Sequence, residues 1–310
     1  MQNQQLPYFS FKQYLKRQYG ENVWKIPVHV PFTCPNRDGK VGTGGCIYCR
    51  NDAFSPGLRL NEKTVAGQIQ QGIQRIRSKK SIYKFLVYFQ SYTNTYAEVS
   101  ELKKFYDQAM DFEEVVGLAI GTRPDCISEE ILDLIENYTK KTDIWLEYGL
   151  QSSHDETLGK INRGHTFADF LKAIELTKGR KINICVHIII GLPGETKSMI
   201  LETAAELAKL PIHGLKIHPM QVHRGTVLEE MFQRREVVLM SRDEYIEICC
   251  DFLERMPENL VIQRLTADAP KSLLVAPEWC ENKMAVLQAI QKEFYRRKTR
   301  QGSKYSVRIF

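Results

Sequence analysis

The sequence has no long hydrophobic run: its apolar stretches stay well short of the ~18 residues that a membrane-spanning helix needs. It opens on Met-Gln-Asn-Gln-Gln, without a charged-then-apolar leader, so nothing in it directs the chain to an oxidising compartment and a cytoplasmic location is expected. Internal repeats, Gly/Ser linkers and low-complexity tracts are missing too, which argues against a string of modules. The 310 residues are therefore expected to form one domain, with a core over about 22–235 and an extension over about 236–310. Eight cysteines lie scattered, without the pairing rhythm of a disulfide framework. Excess charge is slight: +6 is compatible with a polyanionic partner and identifies none.

Thiol is nevertheless concentrated in one place. Cys34, Cys46 and Cys49 share the loop C-P-N-R-D-G-K-V-G-T-G-G-C-I-Y-C, which also carries Gly39, Gly42, Gly44 and Gly45. Thiolates are soft ligands that select iron–sulfur centres, zinc or copper(I) over magnesium or calcium. Glycines let the backbone curl around a bulky centre, because positive φ costs them little. A closed structural zinc site wants four ligands, and so does a ferredoxin-type cluster. Three local thiols leave one metal corner open, unless a distant His or Cys closes a zinc site.

Outside that loop the chain alternates. W-K-I-P-V-H-V (24–30) is a strand-like run that delivers the cysteine loop. Val65, Ile69, Ile73 and Ile76 recur at helical spacing. Apolar runs at 84–90, 115–121, 144–150, 182–190 and about 214–219 read as strands, with helices expected at 96–110, 128–140, 166–179 and 196–209. Near-continuous apolar strands alternating with helices argue for a parallel sheet covered on both faces. The expected fold is α/β, a partial (β/α)6 TIM-like barrel. A helix at 241–256, a strand at 260–265 and a helix at about 278–298 make a C-terminal strand/helix extension that extends or closes it. Barrels carry their active sites on the loops after the strands, which is where the cysteines fall.

Polar residues interrupt this apolar frame in a few places. Glu147 lies within a strand and, if it faces the barrel, needs a cationic or hydroxyl partner, ligand included. Lys216 and His218 alternate with Leu215 and Ile217, which makes them and Gln221 candidates for contacts on a wet or liganded inner face; a Lys216 that snorkels from the rim is the alternative. I-I-I-G-L-P-G-E-T (188–196) is a strand, a tight glycine turn and a helix start, where backbone can approach a ligand. No Gly-Lys-Ser/Thr follows, so it is not a P-loop. Arg123 and Asp125 in G-T-R-P-D read as a loop salt bridge, Cys185 as core packing and His165 as a structural cap. Lys292, Arg296, Arg297, Lys298, Arg300 and Lys304, with aromatic residues between them, form either a solvated helix face or a grip on RNA phosphate.

Three cysteines ending in C-I-Y-C, with aromatic Tyr48 just ahead of the last, resemble the radical S-adenosylmethionine (SAM) superfamily. The resemblance implies that Cys34, Cys46 and Cys49 hold three irons of a 4Fe–4S cluster, and that SAM chelates the fourth. The long first gap and the T-R-P-D string resemble the branch that contains the catalytic subunit of Elongator. C-P-N-R-D-G and G-G-C-I-Y-C, together with R-L-T-A-D-A-P (264–270) and A-P-E-W (276–279), are similar to a small uncharacterised bacterial family of that branch with a C-x11-C-x2-C motif.

Further motifs follow in the superfamily's order. E-Y-G-L-Q-S (147–152) and L-G-K-I-N-R-G-H-T (158–166) resemble a block shared by Elongator-like enzymes, methylthiotransferases and oxygen-independent coproporphyrinogen oxidases. This implies Arg163 at the SAM carboxylate, a task that suits a guanidinium, and Gln151 at the sugar or methionyl part. Gly191 and Pro193 match a G-x-P-G-E-T element that lies beside the adenosyl group. Where the superfamily often has Gly-Gly-Glu for the SAM amino group, this chain has Q-S-Y-T-N-T (90–95), in which Gln90 and Ser91, with Asn94 beside that pair, offer oxygens; an ordinary polar βα loop is the alternative. Tyr48, Glu147, Lys216 and His218 complete the expected cofactor contacts. A second three-cysteine set is missing, which disfavours methylthiotransfer, and no stretch resembles Elongator's acetyltransferase domain.

The activity implied is reductive cleavage of SAM to a 5′-deoxyadenosyl radical. The implied partners are an external electron donor of flavodoxin or ferredoxin type and, by analogy with Elongator, tRNA modified at a wobble-uridine side chain. The alternatives are a radical SAM enzyme acting on a small molecule or a protein, and a non-catalytic zinc-binding RNA adaptor.

Overall fold

The structure is a computed structural model that describes residues 6–59, 61–267 and 269–306. The opening five residues, and Asp268 of the 264–270 motif, lie outside the described residues. Helix α1 (Phe11–Tyr19) starts where Ser10 and Gln13 cap each other reciprocally, and stops at left-handed Gly20. Strand β1 (Val23–Val28) leads through the cysteine loop to α2 (Asn51–Phe54) and α3 (Val65–Arg77). Alternation follows: β2 (Lys84–Phe89), α4 (Val99–Met110), β3 (Val115–Thr122), α5 (Glu129–Tyr138) and β4 (Asp143–Gln151). Then come α6 (Asp155–Lys160), α7 (Phe167–Thr177), β5 (Asn183–Ile190), α8 (Lys197–Leu207) and β6 (Gly214–Pro219). The remainder holds β7 (Val222–His223), α9 (Val227–Gln233), α10 (Arg242–Glu254), β8 (Val261–Arg264), β9 (Leu274–Ala276) and α11 (Lys283–Arg297).

Seven strands in the order β1-β2-β3-β4-β5-β6-β8 form one sheet, parallel throughout and curled into a half-barrel. The six expected β/α units are present, and the extension adds the seventh strand. The sequence pattern gave no sign of α2, α6, α9 or the antiparallel β7–β9 pair, all too short to show a period. On the outer face Val87, Leu118, Leu146 and Val186 pack with Leu102, Leu132, Phe170 and Ile200 of the covering helices. Each such side chain contributes about 1.5–3 kcal/mol on leaving water.

The inner face is apolar only at the end where the strands begin. There Leu86, Ala119, Trp145 and Cys185 pack against Phe11 and Leu15 of α1. The rings of Phe11 and Tyr14 each meet Trp145 edge-on at 5.3 Å. Helix α1 thus stoppers the half-barrel, and Ile262 of β8 donates its N–H to Phe9 O (2.8 Å), which covers that strand's edge. Cys185 is a core residue, as its setting in the sequence indicated.

The basic C-terminal stretch proves largely neutralised. Arg297 pairs with Asp251 (2.7 Å) and Glu293 (2.6 Å), Arg296 with Glu293 (2.7 Å), Arg300 with Glu258 (3.0 Å) and Lys304 with Glu254. Phe294, read from sequence as interleaved with that grip, is buried in the core. Carboxylates on α10, on α11 and just after α10 thus pair with four of the six cations of this face. Among the described residues no helix is long and apolar enough to cross a membrane.

Candidate active site

Strand β1 releases the chain over the C-terminal rim of the sheet, where the cysteine loop closes on itself. Arg37 N–H donates to Cys34 O (2.8 Å), and Cys49 N–H to Cys46 O (2.9 Å). The turn after α6 fastens the loop: Ile47 N–H donates to Ile161 O (3.1 Å), Asn36 Nδ2 to Asn162 O (2.5 Å) and Asn162 Nδ2 to Gly45 O (2.8 Å). All three thiols are unbridged and line one cavity of about 210 Å³. Donors face them: Arg163 Nη1 lies 3.6 Å and Asn36 Nδ2 3.8 Å from Cys46 Sγ, and Asn51 Nδ2 lies 3.5 Å from Cys49 Sγ. Burial raises the Cys49 thiol and Cys46 adds to this, while Arg37 opposes it.

One set of three metal-competent side chains among the described residues gathers its donor atoms within 4.8 Å, namely Glu147, Cys185 and His187. Three soft thiol donors that line one cavity, faced by cations and amides, fit an iron–sulfur centre with one iron left without a protein thiolate.

Arg163 joins the loop to the sheet. Its Nη2 donates to Gly149 O (2.5 Å), and a methyl group on Gly149 would lie 2.8 Å from that nitrogen. Gly164, at φ +73°, turns the chain so closely that a Cβ would sit 2.9 Å from Asn36 Oδ1. Burial works against the Arg163 charge, but Cys46 and Tyr48 outweigh it and strengthen the guanidinium's hold on its proton. Arg123 clamps Asp125 through Nε (2.9 Å) and Nη2 (2.8 Å) and donates Nη1 to Arg163 O (2.7 Å). The loop salt bridge read from sequence therefore also positions Arg163. His165 lies 3.2 Å from the carbonyls of Gly149 and Thr166, and burial pulls it down to about 3, which makes it a neutral brace.

Deeper in, the inner face turns ionic. Glu147 on β4 is fully buried and meets Lys25 of β1 (3.1 Å), His187 of β5 (2.9 Å) and Lys216 of β6. Burial alone would raise this carboxyl, yet Lys216, Lys25 and His187 hold it well below the usual carboxylate range. Lys216 also lies 3.3 Å from Tyr88 Oη, with its ammonium 4.3 Å from the ring centre. Glu147 thus finds its partner inside the protein, and Lys216 is a buried floor residue instead of a rim residue. The same ammonium faces the carboxylate of the Glu147, Cys185 and His187 set, so a cation already holds the place of a metal there.

The cavity brings together Cys34, Cys46, Cys49, Tyr48 and Arg163 from the loop side, and Gln90, Glu147, Gln151, Lys216 and His218 from the strands. Gln151 sits at positive φ (79°) where β4 and β5 shift register. Gln90 Nε2 donates to Phe54 O (2.8 Å). Ser91 lies outside the lining, buried, with its Oγ 2.7 Å from His29 Nδ1. Gly191 and Pro193 also stay out of the lining, at the turn after β5. The sequence reading held Arg264 only as the first residue of the R-L-T-A-D-A-P motif and missed Arg37, Asn51 and Tyr88; all four line the cavity. Arg37 and Asn51 lie beside cysteines and were findable there; no local pattern marks Tyr88.

A thiol-rimmed cavity on a curled parallel α/β sheet defines an iron–sulfur barrel enzyme. Residues 37–207 match the Radical SAM superfamily and residues 212–296 the Radical SAM C-terminal domain. The chain is 37% identical to the uncharacterized protein MJ0486 of Methanocaldococcus jannaschii, over 94% of this chain and 90% of that one. It is 32% identical to the tRNA uridine(34) acetyltransferase of the same organism, over 52% of this chain and 30% of that protein. In fold it matches the Methanocaldococcus infernus Elp3 structure with a TM-score of 0.71 at 22% identity, covering 90% of this chain and 64% of that one. The chain belongs to the radical SAM superfamily, whose cofactors are a 4Fe–4S cluster and SAM.

Proposed function

We propose that Cys34, Cys46 and Cys49 hold a 4Fe–4S cluster with one open iron, that SAM binds there, and that the chain modifies tRNA at a wobble-uridine side chain. The observation that carries the cluster assignment is that three unbridged thiols line one cavity, faced by Arg163 and by two side-chain amides. The cluster and SAM would supply a hydrogen-abstracting 5′-deoxyadenosyl radical, formed when one electron enters SAM and its C5′–S bond breaks to release methionine. An external donor of flavodoxin or ferredoxin type would provide that electron.

The protein's own residues bind, orient and shield. Arg163 is held by Gly149 O and Arg123 with its Nε–H unpartnered, so that group and the guanidinium charge are available to a carboxylate. Gln151 and Tyr48 line the adjoining wall, and Gly191 and Pro193 shape the turn beyond β5. With Ser91 engaged by His29, Gln90 is the remaining candidate of the pair for the SAM amino group. The apolar stopper of α1 closes the far end and restricts water.

Support for tRNA comes from a 164-residue stretch that is 32% identical to part of the tRNA uridine(34) acetyltransferase. A small-molecule substrate is the second reading, favoured by the modest cavity and the neutralised α11. The match of residues 37–207 to the radical SAM superfamily weighs against the zinc adaptor. The test is anaerobic reconstitution with iron and sulfide, followed by SAM and dithionite with or without tRNA. The expected results are 5′-deoxyadenosine and a mass change on the wobble uridine. Product without any change in tRNA moves the reading to a small molecule; one bound zinc and no product ends the enzyme reading.

A further inference from the structure

The floor of the cavity carries more positive charge than Glu147 can answer. Lys25 and Lys216 share this one carboxylate and Arg264 adds a further charge to the lining, while burial pulls His187 down to about 4 and lowers His218, leaving both imidazoles neutral. The Arg264 side chain, at the end of β8, makes no ion pair or hydrogen bond with any described residue. It nonetheless lines the cavity, and its charge is felt at Tyr88, His187 and Lys216. In the same lining His218 Nε2 is buried without a hydrogen-bond partner, and the Gln221 amide, only 4% exposed, has just the Cys280 thiol beside it. A buried polar group left unmet costs about 1–3 kcal/mol, so such groups together in one cavity lining mark a place where a ligand supplies the partners.

We propose that Arg264, His218 and Gln221 form an oxyanion subsite for the substrate, which takes a carboxylate or a phosphate group beyond the SAM position. The inference rests on the function proposed above and names the group by which that substrate is held. A planar guanidinium meets either oxyanion through two parallel N–H bonds. The Gln221 amide adds a donor, and neutral His218 adds another when its proton is on Nε2. Arg264, His218 and Gln221 belong to β8, β6 and the segment after β6, whereas Arg163 and the cysteines hang from the loops after α6 and β1. Two sources offer this chemistry: a nucleotide phosphate of RNA, or the carboxylate of a small organic acid.

The experiment is anaerobic calorimetric titration of the full chain, reconstituted with cluster and saturated with SAM, using inorganic phosphate in one arm and acetate in the other at constant ionic strength. Saturable binding is expected: a preference for phosphate assigns the subsite to a nucleotide, and a preference for acetate assigns it to an organic acid. Arg264→Gln should weaken that binding at least about tenfold, as loss of a charged hydrogen-bond donor does. If Arg264→Gln does not fold, Gln221→Leu in the same titration should weaken binding about fivefold. Absence of binding in both arms, displacement of the anion by SAM, or unchanged affinity in the folded variants overturns the subsite. Formation of 5′-deoxyadenosine by the unmodified chain separates the two readings: anion binding without SAM cleavage retires the proposed function alone, and cleavage without anion binding retires the subsite alone.

Discussion

At the rim of the cavity three thiols and their donors come largely from a single loop, Cys34 to Cys49, whereas at the floor Lys25, Glu147, His187 and Lys216 come from four different strands. Rim residues hang from turns and are fastened by a few backbone hydrogen bonds, so their side chains can change without disturbing the sheet. Floor residues are held on strands, where Lys25, Lys216 and the neutral His187 all meet the one carboxylate of Glu147. Chemistry at the rim and stability at the floor should therefore separate under mutation.

The largest effect is expected from Cys46→Ala, which should abolish 5′-deoxyadenosine formation while shifting urea-unfolding stability by no more than about 1 kcal/mol. Product at the unmodified rate would show that the thiol is dispensable and collapse the contrast. Glu147→Gln should do the opposite and cost about 3–5 kcal/mol, since it strands buried Lys216 without its counter-charge. The double replacement Glu147→Leu with Lys216→Met should recover much of that loss in the same unfolding assay; no recovery would mean that the pair's charge is not what the floor depends on. Arg163→Lys keeps the charge but loses the planar fork. It should weaken SAM binding roughly ten- to a hundredfold with the cluster's absorbance retained, and unchanged affinity would remove Arg163 from the SAM site.

Outside both regions, Glu195 provides a smaller, pH-dependent contrast. Burial pushes its carboxyl from 4.5 up to about 7, against the hydroxyl of Ser152. An acid whose folded value lies above its unfolded value contributes stability that is complete below about pH 4.5 and lost as pH rises through about 7. Glu195→Gln should flatten that part of the stability profile in thermal melts across this range. An identical slope in the variant would assign the pH dependence to other groups.

The contrast also explains what could be read in advance. The β/α alternation was legible because the strands are mostly apolar runs and the helices carry one apolar stripe, and both patterns are local. The cysteine motif was legible for the same reason. Short elements such as α2 and the β7–β9 pair were not, because two to four residues hold no period. Tyr88 gave no signal, since an aromatic on a strand looks the same wherever the strand lies in the sheet, and Arg264 showed only as part of a motif without a stated role.

The sequence by itself determined the class of protein: thiols at C-x11-C-x2-C, the order of the strands, and the glycines that let Arg163 approach the loop all follow from neighbours along the chain. Only the tertiary structure decided the use of the charges. Curling the sheet brought Lys25, Glu147 and Lys216 onto one inner surface and left Arg264 without a described partner, while packing α11 on α10 gave the basic tail its acids. The physical reason is that a charge takes its meaning from what lies within a few ångströms, and those neighbours here are far apart in the chain.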